Sequence, residues 1–177
     1  MAKILILGAE GMLGSAVLST LSSSPVGSEF DIIPTSRSIT NDQFVEFSYE
    51  RGALTGLVRS LGFSGSDYVV NCAGWIPQRA STLNHSEIQA ALSVNCDLPT
   101  ELSISAVQRG FRVITIGTDC VFSGQTSDPY FESTPLSPVD FYGFTKAIHE
   151  STNQGQMIIR TSIIGESKRT GLGLYEW

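Results

Sequence analysis

Only three cysteines occur in the 177 residues, at positions 72, 96 and 120, and none shares a CxxC or Cys/His spacing. A disulfide framework and a structural metal site therefore have no support, and reduced, buried thiols are expected. Basic residues are scarce as well. Eleven Lys and Arg stand against seventeen Asp and Glu, for a net charge of −6, and no basic cluster offsets it. That balance argues against a nucleic-acid partner. No apolar run approaches the roughly 18 residues of a membrane span. The apolar stretch near Met1 is too short for a secretion signal, and Glu10 with three glycines follows where a cleavage region should lie. Asn84-His85-Ser86 matches a glycosylation acceptor by letter, but Asn84 with Glu87 reads better as a helix cap. Internal repeats are also absent. What remains is a cytoplasmic, single-domain globular protein with neither nucleic acid nor membrane as partner.

Strands and helices alternate along the chain. Apolar strands are expected at Ile4–Leu7, Phe30–Thr35, Phe44–Phe47, Tyr68–Asn71, Arg112–Ile116 and Met157–Arg160. Between them, helical spacing predicts helices at Met12–Ser22, Gly52–Leu61 and Ser86–Arg109, and one around Tyr142 after the Pro-rich stretch 124–138. This order predicts an α/β fold: a doubly wound Rossmann sheet, mostly parallel, buried on both faces, with ligands at the carboxyl ends of its strands.

The first strand runs directly into Gly8-Ala-Glu-Gly11-Met12-Leu13-Gly14. Gly8 suits a tight turn, Gly11 lets the backbone approach a pyrophosphate, and Gly14 lets helix and strand pack closely. The helix start at Met12 and Leu13 then offers free N–H groups to phosphates. Three small residues serving packing alone is the competing explanation. After the second strand comes Thr35-Ser36-Arg37, where hydroxyl and guanidinium could hold a 2′-phosphate, while Asp31 lies too early to read a ribose. NADP(H) is therefore favoured and NAD(H) possible, unless Arg37 is an ordinary surface residue. Asn71, Ala73 and Gly74 end the fourth strand with the small residues that a cofactor packed on strand tips requires.

Asn95 lies four residues before Pro99, which has no N–H for its carbonyl. Either the helix kinks there and frees a carbonyl for a water near the site, or Pro99 opens a separate helix. Thr118 ends the fifth strand and could donate to a substrate carbonyl, or merely cap a turn. Tyr142 and Lys146, four apart on one helix, bring a phenol and an ammonium toward the same space. There the ammonium, with an oxidised nicotinamide, would lower the phenol's pKa of about 10 and fit it for proton exchange.

Taken in order, Gly8/Gly11/Gly14, Asn71-Cys-Ala-Gly74, Asn95, Thr118 and Tyr142/Lys146 resemble the extended short-chain dehydrogenase/reductase family over essentially the whole chain. Thr118-Asp-Cys-Val-Phe-Ser-Gly124, followed by Pro129-Tyr-Phe-Glu132, is similar to its dTDP-4-dehydrorhamnose reductase branch. The resemblance implies NADPH- or NADH-dependent reduction of a keto group on a nucleotide-linked deoxysugar, with Tyr142, Lys146, Thr118 and Asn95 as the catalytic set. An epimerase or dehydratase that retains its NAD, or a non-catalytic dinucleotide-binding regulator, are the other readings. Two departures stand out. Ser48 falls where the family often has an acid beside the adenine, and members continue for on the order of a hundred more residues. Residues 1–164 are thus expected to form the NAD(P)-binding domain, and 165–177 the start of a truncated substrate-binding region. Apolar faces on the long helix and the Tyr142 helix could pack a homodimer or simply the sheet.

Overall fold

The computed structural model describes residues 1–38, 42–77, 83–152 and 155–165. Unbroken apolar sequence at its start forms β1 (Ala2–Leu7), which becomes an inner strand because both of its faces find cover. Around it lie β2 (Phe30–Ser36), β3 (Val45–Glu46), β4 (Tyr68–Asn71), β5 (Arg112–Gly117) and β6 (Met157–Arg160). Every pairing is parallel, in the order β3-β2-β1-β4-β5-β6. The chain reverses its winding between β1 and β4, the crevice at which such sheets bind ligands.

Alternate residues of β1 serve two cores. Leu5 and Leu7 point toward α2 (Ala53–Ser60) and α4 (Leu98–Arg109), packing with Leu54, Val58, Leu98 and Leu102. Ile4 and Ile6 point toward α1 (Met12–Ser23), against Val17, Leu18 and Leu21. The expectation of a sheet buried on both faces holds only in part. On the α1 side, Val70, Ile114, Ile116 and Ile159 line an open apolar groove with Val17 and Leu21. Ile159 is accordingly 41% exposed. The reason is topological: β4, β5 and β6 are reached by crossovers on the opposite side, and among the described residues only α1 returns to this one.

The helix expected over Ser86–Arg109 is three segments. α3 (His85–Leu92) starts at the capping box of Asn84 and Glu87, as the spacing indicated. A π-helical turn, Ser93–Asp97, follows, and α4 then carries Pro99 in its first turn. Leu98 N–H reaches back five residues to Ser93, and Pro99 has no N–H to restore the ordinary register. The thiols also differ from expectation. Cys96 is buried, but Cys72 and Cys120 are only partly so, because they sit on the loops after β4 and β5; all three are free. The last helix, α5 (Phe141–Thr152), and β6 complete the described structure. Of the expected segment 165–177, all but Gly165 lies outside the described residues.

Candidate active site

Gly8 ends β1 with φ +74°, a conformation that favours glycine, and its carbonyl accepts from Gly11 N at 3.0 Å. Gly14 faces that same carbonyl. A Cβ on Gly14 would stand 2.1 Å from Gly8 O, so α1 can lie this close to the turn only without a side chain. No side chain caps α1 at Gly11, which leaves the N–H groups of its first turn for an anion. The side chains of Met12 and Leu13 are half-buried and do not line the cleft, so any role they have there is through the backbone.

The turn forms one wall of a cavity of about 410 Å³ at the carboxyl ends of β1, β2 and β4. Gly8, Glu10 and Gly11 line it from the turn, Thr35, Ser36 and Arg37 from β2, and Ala73, Gly74 and Trp75 from the loop after β4. Phe47 and Tyr49 close the β3 side. Asn71 stands behind this wall. Its buried Oδ1 accepts from Ala73 N at 3.2 Å, which shapes the loop. Ser36 is buried too, and its hydroxyl lies 2.5 Å from Glu10 Oε2. Arg37 is exposed at the rim.

Asn95 acts through its side chain, where the sequence suggested its carbonyl. The π turn buries it to 1% exposure. Its Oδ1 accepts from Trp75 N at 2.9 Å, and its Nδ2 donates to Trp75 O and to Thr145 Oγ1, both at 3.0 Å. One amide thus ties the cleft wall to α5. Neither Trp75 as a backbone partner nor Thr145 could be chosen from sequence, since both bonds span twenty residues or more.

At the end of β5, Thr118 caps the short turn Asp119–Val121, accepting from Cys120 N at 3.2 Å. The Thr118 hydroxyl, which also donates to Asp119 Oδ1 at 3.3 Å, stands near enough to the Tyr142 phenol to lower its pKa. The capping role is therefore realised, with the tyrosine close by. Lys146 is 8% exposed, and its ammonium donates to Ile116 O at 3.1 Å. A Cβ on Gly74 would lie 3.9 Å from both Lys146 Nζ and Asn95 Oδ1. The ammonium therefore stands where cleft wall, β5 and α5 converge.

The expected effect of Lys146 on the phenol needs correction. Burial raises the Tyr142 pKa above its ordinary value; the Thr118 hydroxyl opposes this, and Cys120, Asp119 and Asp140 add to the rise. The Lys146 ammonium is engaged by Ile116 O, and burial is the largest influence on the phenol. Burial lowers the Lys146 pKa in turn, against the pull of Glu150 and Cys96. Glu150 is itself paired with Arg160 at 2.7 Å.

Behind Lys146 lies His149, 3% exposed, whose pKa burial and the Lys146 ammonium push down to about 4. An unfolded histidine takes up its proton near pH 6.5, so lowering the pH from about 6.5 toward 4 favours the unfolded chain. This group should remove on the order of 2 kcal/mol across that window and little below it. Thermal melts of the native chain and His149→Gln between pH 7 and 4 test this. The variant should show the shallower decline, and parallel curves would rule His149 out as the source.

The all-parallel sheet and the glycine turn opening into a helix, with the tyrosine–lysine pair on α5, define an α/β domain of the Rossmann kind. A family model described as "RmlD substrate binding domain" matches residues 2–172, and the chain belongs to that family. It is 29% identical over 170 residues to the dTDP-4-dehydrorhamnose reductase of Salmonella typhimurium, covering 94% of this chain and 52% of that protein. Among solved structures, a dTDP-4-dehydrorhamnose reductase from Clostridium acetobutylicum is 26% identical with TM-score 0.71, covering 95% of this chain and 55% of that one. A Bacillus anthracis dTDP-4-dehydrorhamnose reductase, solved in complex with NADP, shares the fold at 22% identity and TM-score 0.68, over 90% of this chain and 53% of that one. The chain spans about half the length of these relatives.

Proposed function

We propose that this chain forms the cofactor-binding and proton-donating part of an NAD(P)H-dependent reductase of a keto group on a nucleotide-linked deoxysugar. The observation that carries the reading is the placement of Tyr142, near Thr118, on the helix whose Lys146 reaches the cleft wall at Gly74. The cleft fits a dinucleotide: a glycine turn without side chains, an uncapped helix start for the pyrophosphate, and small residues at the tip of β4. A bound reduced nicotinamide supplies the hydride. Tyr142 gives the proton to the oxygen of the reduced keto group, and its raised pKa keeps the phenol protonated at neutral pH. Thr118 orients that phenol. Lys146 places a cation beside the cofactor's expected path, and Asn95 holds the cleft wall against α5 so that the distances persist.

Arg37 at the rim supports NADP(H), with NAD(H) as the second candidate. The substrate class rests on the family and on the names of its reductases. Among the described residues no helix is long and apolar enough to cross a membrane. A reaction drawing on reduced dinucleotide, in a chain with three free thiols, fits the cytoplasm. A homodimer through α4 and α5 is proposed as well. Ile104 and Val107 on α4, and Phe144 and Ile148 on α5, are each about half exposed or more. The test of the cofactor reading is a fluorescence titration of the chain with NADPH and, separately, NADH. Saturable binding is expected, and a chain that binds neither would lose the reading.

A further inference from the structure

The carboxyl end of β2 is where a sheet of this kind reads the adenosine ribose. A carboxylate there accepts from the 2′-hydroxyl, and an arginine accommodates a 2′-phosphate. Here β2 ends in Thr35 and Ser36 with Arg37 following, and none is acidic; Asp31 lies exposed at the strand's other end. The acid arrives from elsewhere. Glu10, inside the glycine turn, brings Oε2 to 2.5 Å from Ser36 Oγ, and both residues line the same cleft as Arg37.

The geometry around this contact is built. Thr35 Oγ1 donates to Ile6 O at 3.0 Å and accepts from Gly8 N at 3.3 Å, so it fastens the tip of β2 to the turn that carries Glu10. Ser36 is 4% exposed, and its hydroxyl accepts from Ser38 N at 3.3 Å. Its single proton serves either Glu10 or Ser38 O, which lies 2.7 Å away. The result is a carboxylate at the end of β2, against a buried hydroxyl, in the cleft that Arg37 also lines.

Resting on the reading of this cleft as the dinucleotide site, we propose that Glu10 is its specificity-determining carboxylate. It supplies from the glycine turn the acid that β2 lacks. An ionised carboxylate only accepts, so it can take the hydrogen of a ribose 2′-hydroxyl. A 2′-phosphate offers it no comparable donor and carries like charge, which costs most at such short range. Arg37 draws the 2′-phosphate in, and Glu10 opposes it. Together the pair would let the cleft accept NADH beside NADPH.

The experiment measures dissociation constants for NADPH and NADH, by fluorescence titration, in the native chain, Glu10→Gln and Glu10→Lys. Glutamine keeps the shape and removes the charge, so the preference for NADPH over NADH should rise at least tenfold, and lysine should raise it further. A preference that stays the same or falls in the glutamine variant, while the native chain binds, overturns the role of Glu10 and leaves the cofactor site standing. A native chain that binds neither dinucleotide overturns both.

Discussion

Tyr142→Phe, made in the complete polypeptide, should lower turnover about a thousandfold, within the range that general acid catalysis contributes. Its affinity for reduced dinucleotide should change less than about threefold. The two expectations have different physical origins. Phenylalanine keeps the ring that packs at the start of α5 and removes only the hydroxyl, the group near Thr118. The glycine turn and the uncapped start of α1, which would hold the pyrophosphate, lie on other elements and are untouched. Burial holds the phenol in its protonated form at neutral pH, the form that reduction needs. The proton donor is therefore the one thing lost. Steady-state kinetics with a nucleotide-linked keto sugar, beside a dinucleotide titration, separate the two effects. Turnover retained in the variant would remove Tyr142 from the chemistry. Loss of dinucleotide affinity as large as the loss of turnover would make its part structural.

Much of this arrangement was legible in the sequence, and the places where legibility stopped share a cause. β4 and β6 lie at the expected Tyr68–Asn71 and Met157–Arg160, because a strand's extent follows from local pattern. The glycine turn was equally plain, since Gly8 and Gly14 answer needs set within a few residues. The bare flank over β4 to β6 was not, because each of those strands is as apolar as one covered on both sides. Nor was the π turn at Ser93–Asp97. Pro99 hinted at a break, but the register that buries the Asn95 side chain depends on Trp75 and Thr145, far away in the chain. The spacing of Tyr142 and Lys146 does place both on one face of α5. It could not show that Ile116 O engages the ammonium, or that burial raises the phenol's pKa. Glu10 is the same kind of case. In sequence it is one residue between glycines, and only the fold brings it to Ser36. Periodicity reports neighbours along an element, whereas a site is made by contacts between elements.

Gly143→Ala carries that point into a measurable effect, with every chemical group left in place. A Cβ at Gly143 would lie 2.3 Å from Cys120 O and 3.1 Å from Pro138 Cβ. A backbone carbonyl and a proline ring are poor at yielding, so α5 itself must give way, on the order of 1 Å. Its first turn, set by Asp140 Oδ1 accepting from Gly143 N at 2.7 Å, carries Tyr142 away from Thr118 as it moves. A displacement of that size in a catalytic group costs about a hundredfold in rate. The overpacking itself should cost about 1–3 kcal/mol of stability. Gly56→Ala is the control: its Cβ meets nothing within 4 Å on an exposed part of α2. There alanine should add up to about 1 kcal/mol through helix propensity alone. Melting curves and kcat for the two variants in the complete polypeptide decide the matter. If Gly143→Ala melts lower yet turns over at the native rate, the close approach of α5 to the loop after β5 holds the fold but does not set the tyrosine's position.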